Sequence, residues 1–342
     1  MSSLLLVGNP GVVHVGAHLD AAARELALNV TFCNAEEAFG GPAVLGKLTW
    51  RLAGHRPPRL RQFSQQVVAA CRAARPDWVL TTGLAPLEAW ALRAIGELGA
   101  RRLNFLTDDP WNPAHRAPWF LQGLPMYDHV FSPRLANLDD LSSLGCREVS
   151  YLPFAYAPTI HFPEPPPPDD VDRFAADVVF VGGADRDRVP VMATLAQSGL
   201  RLDLWGGYWQ RHAETRAYAR GHADPRTVRH AIRGARIALC LVRRANRDGH
   251  AMRSYEVPAI GACMLVEDTP EHRAIFGEDG SAVLYFGSAQ SMLDRVRWLL
   301  THDLERQRLA EAAHHLVVGG QNTYADRLRA MLGAGVLEAS VA

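Results

Sequence analysis

Short apolar runs alternate with stretches of helical periodicity along the whole chain, and that alternation predicts the architecture. Leu4–Val7 is an apolar run closed by the turn residues Gly8-Asn9-Pro10-Gly11. Leu19, Ala22, Ala23 and Leu26 then recur at helical spacing, with Arg24 and Glu25 on the opposite face. Val30–Cys33, Trp78–Thr81, Leu103–Leu106, His129–Phe131 and Val149–Leu152 complete a first series of strands, with a helix predicted over Leu87–Leu98. A second series runs through Val178–Val181, Leu202–Trp205, Ile237–Leu241, Met264–Val266 and Val283–Phe286. Its helices are predicted over Thr227–Arg233, Met252–Ile260 and Ser291–Leu300, and Leu304–Leu332 is helical in pattern with a break at Gly319-Gly320. Strands separated by helices require right-handed crossovers, so each series predicts an α/β domain whose parallel sheet is covered on both faces.

Between the two series lies Phe162–Asp170, a proline-rich stretch that can form neither helix nor central strand. The expected organisation is therefore an N-terminal domain over 1–158, a linker over 159–172 and a C-terminal domain over 173–320. A C-terminal helix within 321–342 is expected to pack back on the first domain. Composition adds exclusions. Apolar residues make up 48% and charged ones 21%, a globular balance that a disordered chain lacks. Lys and Arg total 36, as do Asp and Glu, so no net charge recruits nucleic acid or anionic lipid. Lys47 is the only lysine, which reads first as codon bias. Five scattered cysteines, without a CxxC pair, indicate neither a disulfide framework nor a structural zinc. No basic leader and no run of about 18 apolar residues occurs, so the expectation is a cytoplasmic protein with no transmembrane segment.

In open parallel sheets, ligands bind beyond the carboxyl ends of the strands, so the loops after the strands are the places to inspect. Arg243–Gly261 follows a strongly apolar strand and enters a helix near Ala251. A helix start offers unpaired N–H groups and the positive end of the dipole, which suits a diphosphate. Arg253 in the first turn opposes that dipole, a cost that a bound anion offsets. Glu256, one turn on, suits the hydroxyls of a ribose. The alternative for these two residues is an i,i+3 ion pair on a solvated face, and spacing alone leaves both readings open.

Several ordered segments carry a family resemblance. They are Met252-Arg253-Ser254-Tyr255-Glu256-Val257-Pro258-Ala259-Ile260-Gly261, then Val266-Glu267 and Thr269-Pro270-Glu271-His272, with Asp177–Gly183 and the nearby Arg186 and Arg188 upstream. Leu204–Trp209 and Tyr151–Tyr156 belong to the same set. Together they resemble the CgeB-like (spore-maturation protein) glycosyltransferases over roughly Leu103–Phe286, and the first hundred residues follow that family only in pattern. The resemblance implies a GT-B architecture, two facing Rossmann-like doubly wound domains with a nucleotide-sugar donor on the C-terminal one. It implies a hexosyltransferase-like enzyme that needs no metal and no other cofactor. The donor side then falls to Gly182, Gly183, Arg188, Arg253, Ser254 and Glu256. Glu256 matches the second carboxylate of an E-x7-E pair, and Asp248 stands in the first position with a shorter side chain, which leaves the stereochemical outcome open. Gly206 and Gly207, flanked by Trp205, Tyr208 and Trp209, are read as a wall for the nucleobase, with Trp205 itself in the core.

The N-terminal loops are expected to supply the acceptor side: a sugar, polysaccharide, protein or small molecule. An inverting transfer needs a base, and His14 and His18 in the loop after the first strand are candidates, although a loop histidine is more often a surface or capping residue. Asp108 and Asp109 at another strand end are a second source. Neighbouring residues on a strand point to opposite faces, so only one of the two acts, and Asp109 is favoured. Two rivals remain: a nucleotide-sugar epimerase on the same scaffold, and a solute-binding protein that closes over a ligand without reaction.

Overall fold

The computed structural model describes residues 2–41 and 50–333. The chain divides into two compact units, one comprising Met1–Pro153, Ala245–Arg247 and the chain from Tyr324 onward, the other Phe154–Arg244 and Asp248–Thr323. The first break thus follows Pro153, ahead of the expected 158, and the stretch anticipated as a linker over 159–172 is part of the second unit. Tyr324–Gly333 is a helix of the first unit, and residues 334–342 of the anticipated terminal helix lie outside the described residues.

The first unit contains β1 (Ser3–Gly8), β2 (Asn29–Asn34), β3 (Trp78–Thr82), β4 (Arg101–Phe105), β5 (His129–Ser132) and β6 (Val149–Tyr151). They pair in parallel in the order β2-β1-β3-β4-β5-β6. Helices lie on both faces, so Leu4–Val7 is buried residue after residue instead of alternating. Its principal helices are α1 (Val15–Glu25), α2 (Leu60–Ala74) and α3 (Ala89–Glu97). Phe63, Val67 and Cys71 of α2 form an i, i+4, i+8 stripe in the same core cluster as Leu92 and Ile95 of α3.

The second unit contains β7 (Ala176–Val181), β8 (Leu202–Trp205), β9 (Ala219–Gly221), β10 (Ala235–Cys240), β11 (Met264–Glu267) and β12 (Leu284–Phe286), in the parallel order β12-β11-β10-β7-β8-β9. Its main helices are α4 (Arg188–Ala196), α5 (Pro225–Gly234), α6 (Arg253–Ile260), α7 (Pro270–Phe276), α8 (Ala289–Thr301) and α9 (Asp303–Val318). Local chemistry sets their ends. Asp224 accepts the Arg226 and Thr227 N–H groups at the start of α5, and Ser288 and Ser291 cap α8 reciprocally. Gly261 closes α6 at φ 80°, a backbone state that a Cβ disfavours. Strand β9, which sequence pattern did not indicate, is a three-residue edge strand with no apolar run. Among the described residues no helix is long and apolar enough to cross a membrane.

The two strand orders place the ligand crevice differently. Strand order reverses beside β7 and β10 in the second unit and beside β1 and β3 in the first, and a crevice opens at the carboxyl ends of those strands.

Candidate functional site

In the second unit, the loops leaving β7 and β8 are laced together through their backbones. Gly182 N–H donates to Trp205 O at 2.8 Å, Ala184 N–H to Gly207 O at 2.9 Å, and Gly206 N–H to Gly221 O at 2.7 Å. A Cβ at Gly206, which sits at φ 134°, would collide with the Gly182 carbonyl. Gly206 therefore has a packing reason of its own: only bare backbone fits where the two strand ends meet. Trp205 is buried as expected, but Trp209 is no nucleobase wall. It is fully buried, its indole N–H donates to Gly182 O at 2.8 Å, and its ring meets Phe180 edge-on. Tyr208 alone of the three aromatics is exposed, with the Arg211 guanidinium 4.4 Å from its ring centroid.

Arg188, the first residue of α4, spans the crevice. Its guanidinium donates to Gly183 O at 3.4 Å beyond β7 and to Leu241 O at 3.2 Å beyond β10, with Asp185 at 3.5 Å. Burial pulls its pKa below the ordinary arginine value, and Asp185 opposes that shift. Arg188, Leu241, Val242, Glu267 and Ser288 line a small cavity of about 40 Å³ at the strand ends.

At the start of α6, Arg253 donates through Nε to Val181 O at 3.2 Å, the last carbonyl of β7, and its Nη1 pairs with Glu256. The i,i+3 ion pair that spacing left open is therefore present, but its surroundings are not a solvated face: Glu256 is 1% exposed. The other Glu256 oxygen, Oε1, lies 3.5 Å from Nε2 of the buried His161. Ser254 belongs to the interior. Ala251 N–H donates to Ser254 Oγ at 3.1 Å, and Oγ lies 2.8 Å from His272 Nε2. His272 Nδ1 lies 2.7 Å from Glu267 O, and burial pulls the imidazole pKa down to about 4. A neutral ring donates Nδ1–H to that carbonyl and accepts the Ser254 hydroxyl at Nε2. The pair pins α6 to α7, and we assign Ser254 a supporting role in place of the expected donor contact. Asp248 is half-buried, and its charge opposes the lowering of the Arg188 pKa.

In the first unit, the loop after β1 turns tightly. A Cβ at Gly8 would lie 2.8 Å from Thr82 Oγ1, and one at Gly16 2.7 Å from Asn9 O. His14 occupies the exposed N-cap position of α1 without a side-chain cap bond, matching the plain alternative of a terminus residue. His18 faces inward: it is 4% exposed and stacks on Tyr324 at 4.9 Å. Asp109 corrects the preference expressed above. Its carboxylate receives Arg247 Nε at 2.6 Å and Nη2 at 3.0 Å, Asn137 Nδ2 at 3.0 Å and the Trp111 N–H at 3.0 Å. A carboxylate 1% exposed and bound bidentately to arginine is held in the interior as a structural ion-pair partner. Arg247 also holds Asp140 at 2.7 Å, and its hydrogen bonds to Asp109 push its own pKa up. Asp108 is half-buried and accepts only Thr107 Oγ1, at 3.3 Å, among the bonds resolved. His161, Arg247 and His272 were not singled out as site residues from sequence, because each acquires its partner through folding, with separations of 95, 138 and 18 residues for His161–Glu256, Arg247–Asp109 and His272–Ser254.

These two Rossmann-like units, with their switch-point crevices, constitute a GT-B fold. Among solved structures the chain is similar to sucrose-phosphate synthase from Thermosynechococcus elongatus, at TM-score 0.71 and 11% identity over 99% of this chain and 100% of that one. It is similar to Anabaena HepE in complex with UDP-glucose, at TM-score 0.65 and 13% identity over 99% and 100%. It is also similar to a putative UDP-N-acetylglucosamine 2-epimerase from Listeria monocytogenes, at TM-score 0.58 and 14% identity over 98% and 97%. Residues 188–333 match the model of a family described as glycosyl transferase-like. No curated protein matches the chain.

Proposed function

We propose that this protein is a glycosyltransferase that moves a sugar from a nucleoside-diphosphate sugar to an acceptor hydroxyl, within or near the CgeB-like group. The observation that carries the reading is the cluster at the β7–β10 crevice: Arg188 and Arg253, both bonded to strand-end carbonyls, with Glu256 one helical turn away. Two guanidiniums and a helix start provide the positive charge that a departing diphosphate requires, without calling on a metal. Glu256 takes the ribose hydroxyls. A nucleotide entering here exchanges partners: its diphosphate draws Arg253 away from Glu256, and neutral hydroxyls replace the guanidinium on the carboxylate. The family match over 188–333 and the UDP-glucose complex of a protein with the same fold support this assignment. In the first unit, His14 and Asp108 are the side chains we assign as candidate bases for the acceptor.

The epimerase reading is supported by the Listeria neighbour on the same fold. A panel of UDP-, GDP- and dTDP-sugars, screened by thermal shift and then followed by NMR with candidate acceptors, separates the two. Release of nucleoside diphosphate with a new glycosidic bond is the expected outcome. Conversion of the free nucleotide sugar to its epimer, with no transfer, assigns the epimerase. Absence of any nucleotide-dependent shift removes both.

A further inference from the structure

A second buried residue faces Glu256 from 95 positions earlier, in the stretch that sequence pattern had assigned to a linker. His161 is 7% exposed, and Ala157 N–H donates to its Nδ1 at 3.0 Å. A nitrogen that accepts a backbone N–H carries no proton, so the neutral imidazole is protonated at Nε2. Nε2 is the nitrogen that faces Glu256 Oε1, at 3.5 Å. The other oxygen, Oε2, faces Arg253, which in turn reaches Val181 O at the end of β7. A carboxyl group has one torsion that sets where its lone pairs point. Contacts on both oxygens, from two separate parts of the unit, fix that torsion.

We infer that His161 is a positioning residue: by holding Oε1 from behind, it keeps Oε2 directed at the place where Arg253 now sits and where the ribose of a bound nucleotide will lie. This rests on the proposed ribose role of Glu256. It adds that ribose recognition depends on a histidine that touches no ligand. When Arg253 turns to a diphosphate, His161 is the contact that prevents the buried carboxylate from rotating away. Arg253 recognises phosphate and His161 supports sugar recognition, so the two are separable in binding.

The side-chain geometry supplies matched variants. Asparagine places an acceptor where Nδ1 is, keeping the Ala157 bond, but is too short to reach Glu256. Glutamine extends a donor to the Nε2 position. Isothermal titration with UDP, 2′-deoxy-UDP, 3′-deoxy-UDP and inorganic pyrophosphate, with GDP and its deoxy forms as a second set, reads the effect. Wild type is expected to prefer the ribonucleotide to its deoxy forms about tenfold. His161→Asn and Glu256→Gln should each reduce that ratio to threefold or less, with no further reduction in the double variant. His161→Gln should keep most of it, and pyrophosphate affinity should not change in either His161 variant. An unchanged ratio in His161→Asn overturns the inference, as does an equal loss of pyrophosphate affinity, which means general damage to the crevice. A wild-type ratio near one places the fault in the ribose role of Glu256 itself, and wild-type binding of neither nucleotide set overturns the donor-site reading together with this one.

Discussion

The Arg253–Glu256 pair makes a quantitative prediction in which stability and binding move in different directions. Removing the cation strands a carboxylate that is 1% exposed, and losing one partner of a buried ion pair costs about 3–5 kcal/mol. Two features reduce that figure here. The Arg253 side chain is 29% exposed, so water already screens part of the attraction. Arg253 also opposes the α6 dipole, and its removal recovers about 0.5 kcal/mol. Arg253→Ala should therefore destabilise the second unit by about 2 kcal/mol. Glu256→Gln leaves a guanidinium that still reaches Val181 O and solvent, so its cost is about 1 kcal/mol. The double variant should cost no more than Glu256→Gln alone, a coupling of about 2 kcal/mol between the two sites.

Differential scanning calorimetry reads this directly. For a unit of this size each kcal/mol moves the transition by about 2–4 °C, so Arg253→Ala should melt about 4–8 °C lower, with much of the shift restored in the double variant. Pyrophosphate binding supplies the second axis. Freed from its carboxylate, Arg253 should hold pyrophosphate more tightly in Glu256→Gln, by about threefold, whereas Arg253→Ala loses about tenfold, near 1.5 kcal/mol. Equal melting of Arg253→Ala and the double variant would refute the pairing. Pyrophosphate affinity unchanged in both single variants would refute the partner exchange.

Three further outcomes follow from the geometry. Asp109→Asn should destabilise the first unit by about 2–4 kcal/mol, because it loosens the Arg247 clamp, while kcat below the new melting temperature stays within threefold; a collapse of kcat at unchanged Tm would restore Asp109 as the base. Asp108→Asn and His14→Ala, each expected to leave Tm unchanged, divide the base role, and the one that acts should lose about 10²–10⁴ in kcat with the natural acceptor. Stability should also fall on acidification through His272, which is neutral when folded with its pKa pulled down to about 4. The unfolded chain takes up that proton near pH 6.5, so the contribution is complete above 6.5 and is lost progressively as pH falls toward 4. It amounts to about 3 kcal/mol, and thermal melts of wild type and His272→Phe across that window should converge in slope if another group is responsible.

What was legible in the sequence was whatever a run of neighbouring residues encodes. Leu4–Val7 and Ile237–Cys240 are buried on both sheet faces, so their continuous apolarity marks interior parallel strands without reference to any other part of the chain. Helix ends came within two residues, and the caps that set them, Asp224 and Ser288, were not read from the sequence although each acts on groups a few residues away. The edge strand Ala219–Gly221 was missed for the same reason: it is defined by its partner β8, not by its own composition. At the site, the Arg253–Glu256 contact follows from helical spacing, but its meaning depends on burial, which spacing does not report. Asp109 and Asp108 are adjacent and chemically identical, and Arg247 and Asn137, brought in by the fold, tell them apart. The Gly206-Gly207 pair was read as part of a nucleobase wall, whereas in the fold the missing side chain of Gly206 makes room for the Gly182 backbone.

The two units share an architecture yet present opposite chemistry at their crevices, and the strand order explains how. With β7 and β10 adjacent at the reversal, the second unit brings the start of α4 and the loop after β10 to one place, and α6 begins where its Arg253 reaches the end of β7. Both helices begin with arginine, so the crevice joins helix-start N–H groups to two guanidiniums, a field suited to a polyanion. The first unit reverses beside β1 and β3, where the flanking residues are Asn9, His14, Thr82 and Gly83, with Asp108 one strand further out. None of the four is a permanent cation, and the Arg134 guanidinium beyond β4 is buried against Leu106 O and Thr107 O. On the proposed function, Asp108 disfavours a diphosphate there, whereas an acceptor hydroxyl meets hydrogen-bonding partners and a candidate base. The division between donor and acceptor proposed above rests on which residue types stand at the two strand-order reversals. Exchanging the charges, with Arg188→Gln in one unit and Thr82→Arg in the other, should weaken pyrophosphate binding in the first case without creating it in the second, since one guanidinium beside the Asp108 carboxylate lacks the paired cations that a diphosphate requires.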